Sequence, residues 1–108
     1  MISNFKKLFS FSKKEIDSVF KIAKIKYQIS GLKLLQASQN NFDYGKLLII
    51  IPAKTGKAHD RNLIKRRIKA IFYEQKLYEK SINSIIFVYK PALNLTFEQL
   101  KDFLVQNI

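Results

Sequence analysis

The chain reads as an α+β protein, a two-layer α/β sandwich of one sheet carrying helices, in the chain order α-β-β-α-β-α. Two capping boxes, Ser12-Lys13-Lys14-Glu15 and Thr96-Phe97-Glu98-Gln99, mark helix starts towards the two ends of the chain. Two apolar runs, at 47–51 and 84–89, are closed by Pro52 and by Lys90-Pro91, as strands commonly are. One long segment of helical periodicity lies between them, so strand, helix and strand follow in succession.

The first helix is expected over 13–23, with Ile16, Val19, Phe20 and Ala23 recurring at helical spacing after the cap. Lys24 to Ser30 carries no clear signal of either kind. Gly31 to Ala37 reads as a strand, and Gln39 to Gly45 is turn chemistry. Leu47 to Ile51 is a continuous apolar run, which predicts a hairpin-type pair whose second strand is central. After the loop 53–57 a helix is expected over 58–78, then a strand over 84–89. A last amphipathic helix carries Leu100, Phe103, Leu104 and Ile108. No repeat, linker or low-complexity stretch divides residues 1–108, so they are read as one domain.

Composition restricts the function. The 12.7 kDa chain has a formal charge of +12 and pI near 10.0, which predicts attraction to a polyanion. Nine Phe and five Tyr with a hydrophobic fraction of 47% supply a core. No apolar run approaches the roughly 20 residues that span a bilayer, and the first residues do not form a secretory signal. With no cysteine there is no disulfide, thiolate zinc site or thiol nucleophile. The expectation is a small soluble cytoplasmic basic protein, with no membrane and no obligate protein partner.

Arginine is the sharper signal. All three arginines, Arg61, Arg66 and Arg67, fall within seven positions, whereas the other 17 basic residues are lysines. Lysine is a point charge; arginine is a planar fork that can grip phosphate or a guanine edge in two places. A biased composition explains lysine as the default base, but not the confinement of arginine to one segment. At about 100° per residue, Ile64, Ile68, Ile71 and Phe72 share one face of this helix and should pack on the sheet. Asn62, Lys65, Arg66, Lys69, Tyr73 and Lys76 face away, and Arg67 lies on the flank one turn beyond Leu63. Solvated helix faces usually mix signs, but here Arg61 with Lys65 and Lys65 with Lys69 repel at i+4. A polyanion would neutralise them. Gly56 allows a tight loop before the helix, where Lys54 and Lys57 add charge.

These residues resemble a known family. Lys54-x-Gly56-x-Ala58-x-x-Arg61-Asn62-x-Ile64-Lys65-Arg66-x-Ile68-Lys69, ending at Phe72, is similar to the signature of the bacterial ribonuclease P protein subunit. Ile85-Ile86-Phe87-Val88, Lys90-Pro91-Ala92 and Leu95-Thr96 resemble its third strand and last helix, and Val19-Phe20 the end of its first. The resemblance implies a protein cofactor for a ribozyme, whose RNA subunit uses bound Mg2+ to remove the 5′ leader from precursor tRNA. It implies a compact sandwich with a left-handed βαβ crossover. The catalytic RNA would be contacted by Arg61, Asn62, Lys65, Arg66, Arg67 and Lys69, with Lys54 and Lys57 in the adjoining loop. A cleft between the sheet and the first helix would hold the leader, using Phe20 and also Lys33 and Lys90. The chain departs from the pattern in places. Leu63 stands where the family core has its second arginine, and Arg67, one turn on, is expected to compensate. Pro52-Ala53 replaces a serine-lysine pair. Ile16, and Leu32 or Leu34, replace aromatic residues, which bears on leader recognition.

Nothing in the sequence supports catalysis by the chain itself. His59 beside Asp60 is better read as a helix cap or surface pair than as a dyad, and the carboxylates do not cluster for a metal. Phe20 fits a core position as well as a cleft. Tyr73 fits base stacking as well as a surface tyrosine. A ribosomal-type or general structured-RNA-binding protein without a processing role is the alternative reading. A DNA-binding module is disfavoured because a strand and a glycine loop, not a partner helix, precede Arg61.

Overall fold

The computed structural model describes residues 2–29, 31–37 and 44–108, with the backbone alone for residues 2–4. Lys24–Ile29 forms β1, Leu32–Ala37 β2, Leu47–Ile50 β3 and Asn83–Val88 β4, in one sheet of order β1-β2-β4-β3. β1 with β2 and β2 with β4 are antiparallel, whereas β3 and β4 run parallel. Ile2–Lys7 forms α1, Lys13–Ile22 α2, Ala58–Glu74 α3 and Phe97–Asn107 α4, so α3 is the crossover from β3 to β4. Among the described residues, no helix is long and apolar enough to cross a membrane.

Alternation along the strands divides the core in two. On one face Leu34, Ile86 and Ile49 lie side by side in register. Against them pack Ile64, Ile68, Ile71 and Phe72 of α3, Leu100, Phe103 and Leu104 of α4, and Leu8 after α1. On the other face Leu35, Ile85 and Leu48 are in register, covered by α2 through Val19. Both capping boxes form. The Ser12 hydroxyl accepts from the Glu15 N–H at 3.1 Å, the Thr96 hydroxyl accepts from the Gln99 N–H at 3.1 Å, and both side chains at the third helical position answer.

Four expectations are corrected. The unassigned segment after α2 is the strand β1. Its Lys-Ile-Lys-Tyr-Gln-Ile does alternate, but every residue is exposed, so no buried stripe marked it. The strand at 47–50 is not central and does not pair with β2. It is an edge strand bonded to β4, and it reads as continuously apolar because helices lie over both its faces. The long helix ends at Glu74. Lys76 adopts a left-handed φ of 54°, and the chain restarts as a 3-10 turn at Leu77–Lys80 that drives Leu77 into the core. The first residues, to which no element was assigned, form α1, and the Leu8 carbonyl accepts from the Leu47 N–H at 2.9 Å. Of the expected turn, positions 39–43 lie outside the described residues.

Candidate nucleic-acid interface

The loop before α3 is fixed by buried bonds. Residues Ala53–Thr55 make a 3-10 turn, and the buried Thr55 hydroxyl donates to the Val88 carbonyl at 3.1 Å, tying it to the end of β4. Gly56 has extended backbone with φ 170°, so it is not needed for a left-handed turn; a Cβ there would stand 2.7 Å from the Leu93 side chain. A Cβ there would require only the end of the Leu93 side chain to shift. The left-handed glycine is Gly31, φ 84°, before β2, where a Cβ would collide with the Ala92 backbone. Arg61 is half-buried, and its Nε donates to the Gly56 carbonyl at 3.0 Å. That bond orients the guanidinium over the loop. Its terminal nitrogens have no partner among the described residues.

From this start α3 presents Asn62, Lys65 and Arg66 to solvent, with Lys54 and Lys57 exposed on the loop beside them. Asp60 is the sole acidic residue of the first turn, where the helix dipole favours it. Two residues assigned to the outer face lie deeper. Lys69 is half-buried, with its Nζ 5.3 Å from the centre of the Phe9 ring. Burial, and then the charge of Lys65, hold its ammonium below the usual lysine range. Tyr73 stacks on Tyr78 with centroids 6.1 Å apart and meets the edge of Phe5 at 5.2 Å. It belongs to the packing of α1 on α3 and is not a free face for a base. Arg67 and Leu63, both half-buried, line one cavity beside Asp60, and Lys90 lines it too. Lys90 therefore lines the same cavity as Arg67, on the α3 side of the sheet.

The opposite face of the sheet carries a second surface. Phe20 is 42% exposed, so it is not a core residue. Its ring meets Phe87 of β4 edge-on at 6.4 Å, and Phe87 stacks on Tyr89 with an interplanar angle of 5°. The Lys33 Nζ lies 5.6 Å from the centre of the Phe87 ring. Three rings and a cation thus form a strip beside α2. Ile16 is half-buried on α2, whereas Leu32 and Leu34 are buried in the core on the other face, so neither forms a wall of this strip. The residues facing it from β2 are Lys33 and Leu35. Phe87 and Tyr89 were missed because Ile85-Ile86-Phe87-Val88-Tyr89 does not show which alternate side chains α2 leaves uncovered.

Another missed residue is a base that is not on the surface. Lys46 is buried, and its Nζ bonds a Glu15 carboxylate oxygen at 2.7 Å and lies 4.6 Å from the Phe11 ring centre. The Lys46 bond, followed by the Ser12 N–H, draws the Glu15 carboxyl below its ordinary range. Among the described residues, no three or more His, Cys, Asp or Glu side chains group together as ligands of a metal ion would.

Comparison with known proteins identifies relatives in sequence and in fold. The family model described as Ribonuclease P matches residues 5–108. A ribonuclease P protein component from Phytoplasma australiense is 40% identical over 91 residues, covering 81% of this chain and 76% of that protein. One from Onion yellows phytoplasma is 39% identical over 93 residues, covering 85% of this chain and 65% of the relative. The solved structure of Staphylococcus aureus RNase P protein superposes with a TM-score of 0.78 at 21% identity, covering 93% of this chain and 91% of that one, a likeness of fold. Thermotoga maritima RNase P protein, solved in complex with 1-(4-fluorophenyl)-2-thiourea, gives 0.74 at 25% identity, covering 87% and 91%.

Proposed function

This chain belongs to the ribonuclease P family as its protein component, a subunit of an RNA-containing holoenzyme, and on that premise we propose how its two surfaces divide the work. The α3 face grips phosphates of the catalytic RNA with Arg61, Lys65, Arg66 and Lys69, assisted by Asn62, Lys54 and Lys57. The aromatic strip on the other side of the sheet holds the unpaired 5′ leader of precursor tRNA. The observation that carries this reading is the run Phe20–Phe87–Tyr89 with Lys33 above it, on the sheet face opposite the arginine helix. Rings in a row accept successive bases without sequence preference, at roughly 1–3 kcal/mol per stacked base, and a cation beside them holds the backbone.

The chemistry is assigned to the RNA and to Mg2+ held by its phosphates. No step is routed through the protein's own side chains. Their contribution is electrostatic and positional: neutralising crowded phosphates so that the RNA folds at lower magnesium, and favouring substrate, which has a leader, over product, which has none. The proposed setting is the cytoplasm, where precursor tRNA is made in a bacterium.

The test is 5′ cleavage of precursor tRNA by a bacterial ribonuclease P RNA at low magnesium, with and without this protein. A large gain in correctly placed cleavage is expected, lost in Arg61→Ala/Arg66→Ala. Phe20→Ala/Phe87→Ala should leave affinity for the catalytic RNA intact and abolish the preference for leader-bearing tRNA. Tight RNA binding with no gain in cleavage would instead favour a general structured-RNA-binding role.

A further inference from the structure

The cavity beside Arg67 is distinct from both surfaces above. It lies between the first turns of α3, the 3-10 turn Lys90–Asn94 and the start of α4, and is an open pocket of about 340 Å³. That is at the low end of the roughly 300–1,000 Å³ typical of ligand pockets, enough for one small molecule and too little for a helix of RNA. Its lining is of two kinds. Leu63, Leu93 and Leu95 offer an apolar wall, while Arg67, Lys90 and Asp60 bring charges of both signs. Among the described residues no ion pair joins Asp60 to either cation. Charges of both signs are therefore open to a ligand in this one cavity.

We propose that this cavity receives a single unstacked nucleotide of the RNA partner, its phosphate held by Arg67 and Lys90 and its base laid on the leucine wall. Two cations alone would fit any anion. The apolar wall requires a flat, poorly solvated group next to that anion, and the carboxylate requires a donor on it. A nucleobase with an exocyclic amine meets both conditions, because Asp accepts from such an amine as it does from cytosine N4. The cavity therefore favours cytidine over uridine, which shows a carbonyl at the same place. Single-stranded positions are where proteins read RNA bases, since paired bases in an A-form helix are hidden. Arg67 thereby grips the phosphate of one unstacked nucleotide from the flank of α3, apart from the contacts on its outer face.

The proposal rests on the RNA-binding reading, and the experiment separates the two. The amide resonances of the full chain are followed on titration with CMP, UMP and inorganic phosphate. CMP should shift Leu63, Leu93 and Leu95 at least several-fold more than UMP at equal concentration, and phosphate should leave those leucines unmoved. Identical responses to all three would overturn the proposal. In parallel, affinity for a bacterial ribonuclease P RNA is measured for Arg67→Ala/Lys90→Ala and for Arg66→Ala, with thermal melting to establish that each is folded. Both should bind at least tenfold more weakly, and Asp60→Asn should erase the CMP preference. If Arg66→Ala weakens binding and the cavity variant does not, the cavity is no RNA site although the helix is. If neither weakens binding, the RNA reading itself falls.

Discussion

Lys69 carries its charge at a cost to the free fold. Its ammonium lies against the Phe9 ring, half out of water and near Lys65, and both circumstances disfavour its charge. A phosphate docked on the α3 face would reverse the balance by supplying the opposite charge. Lys69→Met keeps the apolar stem and removes the penalty. The variant should melt at the same temperature as the parent or higher, yet bind structured RNA several-fold more weakly, by thermal denaturation and titration at one salt concentration. A lower melting temperature with unchanged affinity would mean that Lys69 is merely structural. Arg61 differs, because its Nε is already engaged by the Gly56 carbonyl. A lysine there retains charge but has no fork with which to hold loop and phosphate together.

At the level of elements, the N-terminus of α2 is built on one carboxylate with two duties. Glu15 closes the capping box with Ser12 and pairs with the buried Lys46 that leads into β3. Because its folded pKa is depressed, the stability it contributes is complete above its ordinary value near 4.5 and is lost as pH falls through the depressed folded value. Glu15→Gln keeps a capping side chain but loses the charge. It should cost about 1.5–3 kcal/mol near neutral pH, as for a hydrogen bond to a charged group. Its melting temperature should also fall less steeply than the parent's on acidification below that value. Equal slopes would show that the pair contributes nothing through its charge. The cap itself was legible in the sequence, since it is local. Lys46 was not, because nothing near it in sequence distinguishes a buried lysine from the sixteen others. Likewise the faces of α3 followed from helical periodicity down to Ile64, Ile68, Ile71 and Phe72. The depth of Lys69 and Tyr73 did not, because α1 covers that end of α3 and α1 carried no readable signal. Strand β1 escaped notice for the reverse reason, being exposed on both faces. The pairing of β2 with β4 instead of β3 is a non-local choice that no turn residue dictates.

For the whole molecule, a charge of +12 makes salt the governing variable. Each phosphate neutralised releases counterions, so affinity should fall with salt at a slope of about 0.7–0.9 per contact on logarithmic axes. Arg66→Ala should reduce that slope by about one contact, whereas Phe87→Ala should leave it unchanged, because stacking displaces no ions. Filter binding across a salt series measures both, and a slope unaltered in Arg66→Ala would remove that residue from the phosphate contacts. Strand β4 gives these two surfaces a common fate. It is a partition one side chain thick, with Ile86 and Val88 turned towards the packed layer under α3 and Phe87 and Tyr89 turned towards the strip beside α2. Inserting or deleting one residue in it would turn the partition inside out, seating a phenylalanine among the aliphatics and leaving an aliphatic where the rings now stack. The two surfaces are thus geared to each other: neither can be re-registered by sliding this strand without carrying the other with it.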